Sequence, residues 1–174
     1  MAQTMGPSAD AVTPNKDLLI VNMVRERIPW EDILQRLKGE CDEMARQHRP
    51  VEFAGSEDAF LQRVLIRLGR KVDGMPALRA LNPNLGEGKS KSPLVRALPA
   101  IVRAEAGQIW IPEKNLPWVD TFKSEALVFT GSDKETNDII STLSYASNEI
   151  ERGAHKGPDG FMGFAFGRGE GRRR

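Results

Sequence analysis

The 174-residue sequence is poor in cysteine, in histidine and in long apolar runs. Cys41 is the only cysteine, so the chain cannot form an internal disulfide, which is typical of a reducing compartment. No apolar run approaches the roughly 20 residues that cross a bilayer, and residues 1–15 lack the apolar stretch of a secretory signal. The sequence therefore predicts a protein of the cytoplasm.

The sequence also lacks an excess of either charge, with 25 Lys and Arg against 24 Asp and Glu. Nucleic-acid binding would therefore depend on a local basic patch rather than on an overall positive field. His48 and His155 are isolated in the sequence, and isolated histidines are more often surface groups than metal ligands.

The composition divides the chain into three segments. Residues 1–16 are small, polar and contain proline and glycine, which predicts a flexible arm. Residues 17–152 carry the periodic apolar patterns of a folded domain. Residues 153–174 are rich in glycine and arginine, which predicts a flexible tail. The tail's arginines are compatible with nucleic-acid contact and equally with a solubilising end.

Strands alternate with helices in the predicted domain. The apolar run at 17–24 is short and β-branched, which predicts a buried strand. Further short runs at 51–54, 71–78 and 108–111 predict strands, and the segments between and after them show helical spacing. This order predicts an α/β layered fold.

Two carboxylates are candidate metal ligands. Glu52 interrupts the apolar segment 50–54, and an unpaired buried carboxylate is costly unless a cation compensates it. The alternative is a glutamate on an edge strand that faces water. Asp138 begins the last predicted helix, where a negative charge is also favoured by the helix dipole alone.

Two groups of basic residues are candidate phosphate contacts. Arg63, Arg67 and Arg70 share one helical face, which is either a solvated face or a phosphate-binding one. The second group lies on a loop and a helix start, where backbone donors also favour anions. It consists of Lys89, Lys91 and Arg96. We favour the second group for DNA contact, because phosphate contacts carry most non-specific affinity.

The segment between Lys89 and Ser144 combines several of these features in one order. It reads Lys89-Ser90-Lys91-Ser92-Pro93-Leu94-Val95-Arg96, then Ala104-Glu105-Ala106-Gly107-Gln108-Ile109-Trp110-Ile111-Pro112, then Trp118, Phe122, Glu125, Phe129 and Asn137-Asp138-Ile139-Ile140. This order resembles the C-terminal nuclease domain of the terminase large subunits of tailed phages, which package viral DNA. The resemblance covers roughly residues 12–152.

The resemblance implies a ribonuclease H-like mixed sheet flanked by helices. It implies metal-dependent cleavage of concatemeric double-stranded DNA during genome packaging, in the cytoplasm of a bacterial host. In that chemistry two Mg²⁺ or Mn²⁺ ions would be held by carboxylates. The implied metal ligands are Glu52 and Asp138, with Asp133 as a further candidate, and the implied DNA contacts are Lys89, Lys91 and Arg96.

The sequence departs from the family's pattern at the acidic positions. Asn137-Asp138 keeps one acid where the family has a pair, and Ser141 replaces a further acid. The family's first strand, with its metal-binding aspartate, has no counterpart ahead of Asp10, so an N-terminally trimmed domain is expected. Either a separately encoded N-terminal half completes the enzyme, or the chain is a catalytically incomplete DNA-binding or assembly component.

A nucleotide-binding loop is not predicted. Residues 86–90 read Gly-Glu-Gly-Lys-Ser, which is similar to the end of a phosphate-binding loop. The full pattern requires a glycine at the position of Pro83, so the ATPase half of the terminase family is absent from this chain.

Overall fold

A computed structural model describes residues 2–5, 8–57, 60–82, 92–113, 116–132, 138–153 and 161–166. Lys89, Lys91 and Asp133 lie outside these residues. The described part of the chain holds eight strands and five helices. The strands are β1 (Ala2–Met5), β2 (Ser8–Val12), β3 (Leu18–Met23), β4 (Glu26–Pro29), β5 (Phe53–Glu57), β6 (Ala77–Leu81), β7 (Ile109–Trp110) and β8 (Phe161–Phe166). The helices are α1 (Ile33–Gln47), α2 (Phe60–Gly69), α3 (Pro93–Glu105), α4 (Pro117–Val128) and α5 (Asp138–Glu151).

Six strands form one mixed sheet in the order β6-β5-β8-β2-β3-β7. Strand β2 is antiparallel to both of its neighbours, β8 and β3. The other neighbouring pairs are parallel. Strands β1 and β4 pair separately as a two-stranded antiparallel ribbon. The structure is therefore a mixed α/β fold, as the sequence predicts.

Helices cover both faces of the sheet. Successive residues of a strand point to opposite faces, so neighbouring residues pack against different helices. Phe53 belongs to an apolar core shared with α3 and α5, whereas Ala54, the next residue, packs into a second core with α1 and α2. Ile20 and Val21 divide between the two cores in the same way. The sheet is thus the middle layer of three.

The two terminal segments that the sequence predicts as flexible, 1–16 and 153–174, instead contain strands β1, β2 and β8. Strand β8 lies next to β2, on the side of β2 away from β3. We expect a strand that precedes β2 in the chain to take this position. In the structure, a strand from the C-terminal part of the chain takes it instead. Strand β8 contains one glycine and three phenylalanines, and its partners in the sheet are more than 100 residues away, so the composition of the whole segment does not reveal this pairing.

Helix α3 buries a different face from the one its large apolar residues predict. Its buried residues include the small side chains Ala97 and Ala100, which allow close packing in the core shared with α5. Arg103 is also buried, where it donates to the carbonyl of Lys16 and lies 2.5 Å from Glu151. The large residues Leu94, Val95, Leu98 and Val102 are exposed.

Cys41 of α1 is buried in the second core, and burial raises the pKa of its thiol to about 12. None of the described helices has the length and apolarity that crossing a bilayer requires.

Candidate functional site

Arg25, Glu125 and Asp138 form an ion-paired cluster at the beginning of α5, here called the α5-entry cluster. Nη1 of Arg25 lies 3.5 Å from Oε2 of Glu125, and Nη2 lies 3.1 Å from Oδ2 of Asp138. Arg25 follows β3, Glu125 belongs to α4 and Asp138 is the first residue of α5. One guanidinium therefore joins the end of a strand to two helices.

Glu125 also caps the N-terminus of α5. Its Oε1 accepts a 2.8 Å hydrogen bond from the backbone N–H of Ile139, one of the first amides of the helix, which have no partner within it. The side chain is only 8% exposed. Burial raises the pKa of Glu125, while the Ile139 amide and the charge of Arg25 partly oppose that rise. The carboxylate is therefore held by one backbone donor and one neighbouring cation in a desolvated position.

Arg96 lies toward the same end of the molecule as Asp138. Arg96 borders a small cleft together with Phe129 and with Ile140 and Ser141, which belong to the first turn of α5. At the other end of these helices, Nη2 of Arg103 lies 2.5 Å from Glu151. The two helices therefore run side by side in the same direction, and both N-termini, where backbone donors favour anions, lie near Arg96.

Glu52 is not brought to Asp138. Phe53 pairs with Met162, Met162 with Asp10 and Asp10 with Ile20, so Glu52 lies near the level of the first residues of β3. Arg25, which contacts Asp138, is five residues beyond Ile20, or about 16 Å along an extended chain. Glu52 and Asp138 therefore lie toward opposite ends of the sheet.

Helix α5 confirms this separation. Its last residue, Glu151, contacts Arg103, which also binds the carbonyl of Lys16 in the turn between β2 and β3. That turn precedes Leu18, at the end of the sheet nearer to Glu52. The structure therefore does not bring Glu52 and Asp138, the two predicted metal ligands, together. Glu52 precedes β5 and is exposed, so water relieves its charge. It faces water, as in the alternative that the sequence left open, but it does not belong to an edge strand, because β5 lies between β6 and β8.

Glu57, the acidic residue of β5, is not among the site residues that the sequence predicts. It ends β5, opposite Leu81 of β6. Strands β5 and β3 run in the same direction, so the backbone of Glu57 lies toward the sheet end that carries Arg25. The signal in the sequence was its place directly before the next helix, at the carboxyl end of a parallel strand, where functional groups commonly converge.

The remaining predicted site residues are only partly tested by the geometry. Asp133, Lys89 and Lys91 lie outside the described residues, and Arg96 is half-buried at the start of α3. Within the described ranges, no three His, Cys, Asp or Glu side chains come together as a group able to hold a metal ion.

A scan of protein-family models and searches of curated proteins and solved structures return no match to this chain.

Proposed function

We propose that this chain is a terminase-like domain of ribonuclease H-like type that binds double-stranded DNA as a component of phage genome packaging. In this proposal it is the catalytically incomplete DNA-binding member of the two alternatives that the sequence offers. The DNA contact lies at the end of the molecule where Arg96 and the N-termini of α3 and α5 meet.

The observation that carries this proposal is the position of the Arg25 guanidinium. It contacts one oxygen of Glu125 and one oxygen of Asp138, so a cation of the protein itself already occupies the place between these two acids. The remaining oxygen of Glu125 is committed to the α5 backbone. These contacts give the acids a structural role, which is to fix the start of α5 next to Arg96.

The arrangement does not fit the implied two-metal site. Such a site needs several carboxylate oxygens directed at one point, and the oxygens described here are directed at Arg25 and at a backbone amide. We therefore derive no step through Mg²⁺ or Mn²⁺.

Strand order supports the ribonuclease H-like assignment. Strand β2 is antiparallel to both of its neighbours in an otherwise parallel sheet, and the place beside it on the side away from β3 is taken by β8. Because β8 fills that place, the sheet offers no position there for a strand from a separately encoded N-terminal half. A DNA-binding component does not require such a half.

Fluorescence anisotropy with a labelled 30-base-pair duplex tests the proposed contact. We expect Arg96→Ala to weaken binding severalfold and to lower the salt slope of log K by about 1, since one phosphate contact is lost. Arg46→Ala is the matched control, because it removes the same charge from the exposed end of α1. Equal effects of the two substitutions would contradict a contact at Arg96.

Metal-dependent nuclease activity is a second candidate, favoured by one observation. Glu57, Glu125 and Asp138 come from three elements that all approach the same end of the sheet. Nicking of plasmid DNA in Mn²⁺ that disappears in both Glu57→Gln and Asp138→Asn would establish this candidate. Intact plasmid with DNA binding retained would eliminate it.

A further inference from the structure

A row of arginines lines a groove between α2 and the edge of the sheet, far from the α5-entry cluster in the fold. Arg63, Arg67 and Arg70 line one side, and the groove encloses about 570 Å³. Its apolar floor is formed by Ile66 and Leu78. We call it the arginine groove.

The arginine groove concentrates positive charge on a low-dielectric surface. The residues that line it, within the described part of the chain, are three arginines of the α2 segment, Arg79 of β6, and the uncharged Ile66, Leu78 and Ala80. No carboxylate is among these described lining residues. A concave surface with one sign of charge and apolar walls strengthens the field that an approaching anion experiences.

The spacing of the arginines matches the backbone of a nucleic acid. Arg63, Arg67 and Arg70 are separated by four and three residues, so they share one face of the helix and its continuation. The span from the first to the third is about 10 Å at 1.5 Å per residue. This span equals about three base-pair rises of 3.4 Å measured along the axis of a duplex, so a helix lying along that axis would pass several phosphates.

The edge of the sheet supplies further donors. Strand β6 is the terminal strand, so its outer backbone edge is not taken by a neighbouring strand of the described sheet. Arg79 borders the groove at this edge, but its guanidinium lies 4.1 Å from the centre of the Phe53 ring, a cation–π contact on the other face of the sheet. The charged side chains of the groove are therefore those of the α2 segment.

We propose that the arginine groove is a second DNA contact of this chain, which binds the sugar–phosphate backbone of duplex DNA without reading its sequence. This inference rests on the proposed DNA-binding function and adds a site on the opposite side of the sheet from Arg96. The described lining carries no aromatic side chain on which an unpaired base could stack, which favours a duplex over a single strand. Guanidinium groups suit this role because they bind phosphate in a bidentate manner.

Salt-dependent binding of the full chain to a labelled 30-base-pair duplex tests the inference. We expect Arg67→Ala/Arg70→Ala to lower the slope of log K against log salt by about 1.8, at about 0.9 for each lost phosphate contact. Affinity near 0.1 M salt should fall by about tenfold or more. Arg67→Lys/Arg70→Lys keeps both charges and should retain most of the slope.

The matched control is Arg27→Ala/Arg46→Ala, which removes two exposed arginines outside the arginine groove. An equal loss in this control would mean that only net charge matters, and it would overturn the inference. If the wild type binds tightly and Arg67→Ala/Arg70→Ala leaves the slope of log K against log salt unchanged, the arginine groove is not a DNA contact. The proposed DNA-binding function would still stand in that case. Absence of duplex binding by the wild-type chain at low salt would overturn both. Tighter binding of a single-stranded 30-mer than of the duplex would overturn the duplex assignment.

Discussion

Arg25 and Asp138 are 113 positions apart in the chain, and their side chains meet at 3.1 Å. The contact fixes the first residue of α5 against the segment that leaves β3. Glu125 completes the arrangement because it forms an ion pair with Arg25 and accepts a hydrogen bond from the Ile139 amide. The long-range ion pair therefore determines where the N-terminus of α5 lies relative to Arg96.

Arg25→Met is expected to destabilise the fold. It leaves the carboxylates of Glu125 and Asp138 close to each other without the cation that separates them. We expect a loss of about 1–2 kcal/mol in the free energy of unfolding, which is less than for a fully buried pair since Arg25 is 38% exposed. Urea unfolding at pH 7 measures it, and Arg27→Met, on the exposed side of β4, should change stability little. Equal stability of both variants would show that the α5-entry cluster is dispensable.

Glu125→Gln is expected to change the pH dependence of stability. Burial raises the pKa of Glu125 in the folded state above its unfolded value. Its contribution is therefore fully present below the unfolded pKa, near 4.3, and declines as pH rises through the folded pKa. The wild type should gain stability relative to Glu125→Gln as pH falls from 7 to 5. Urea unfolding of both proteins at several pH values would detect the trend. A loss of wild-type stability relative to Glu125→Gln as pH falls would mean that the charge of Arg25 outweighs burial in setting the pKa of Glu125.

Gly55→Ala is expected to disturb the pairing of β5 with β6. A Cβ at this position would lie 2.3 Å from Cδ1 of Leu81, which is buried in the core. We expect a loss of about 1–3 kcal/mol from overpacking. In Gly39→Ala the new Cβ meets nothing within 4 Å, so this variant should gain about 0.5–1 kcal/mol from helix propensity. Thermal unfolding of the two variants provides the comparison, and a stable Gly55→Ala would place Leu81 elsewhere.

Removal of β8 is expected to abolish cooperative folding. A chain that stops at Gly153 loses the strand between β2 and β5 and leaves both with open edges in the middle of the sheet. A chain that stops at Phe166 keeps β8 and serves as the control. Calorimetric unfolding should show a single transition for the longer chain and none for the shorter one. Identical transitions would mean that β8 does not belong to the sheet.

The alternating elements between residues 17 and 152 were predictable because their signals are local. The strand at Leu18–Met23 is a short apolar run, and α1 shows helical spacing of Ile33, Leu37 and Cys41. Helix α3 shows the limit of this reasoning, since Ala97 and Ala100 are buried in place of its larger apolar residues. Close helix packing selected small side chains, which hydrophobicity alone does not reveal.

The candidate site was less predictable because it depends on contacts between distant segments. Asp138 and Glu125 are both part of the segment that carries the terminase resemblance, but nothing local identified Arg25 as their partner. Glu52 was the candidate that the sequence indicated, because it interrupts an apolar segment. The start of β5 at Phe53 places Glu52 outside the strand and Glu57 at its carboxyl end.

The most direct test of the account is a titration of closed circular plasmid with the full chain in Mn²⁺. The DNA is run on a gel both as the complex and after the protein is removed. The account predicts retarded complexes from which the plasmid is recovered closed and circular. Failure to retard the plasmid, or nicked product that is absent with Asp138→Asn, would contradict it.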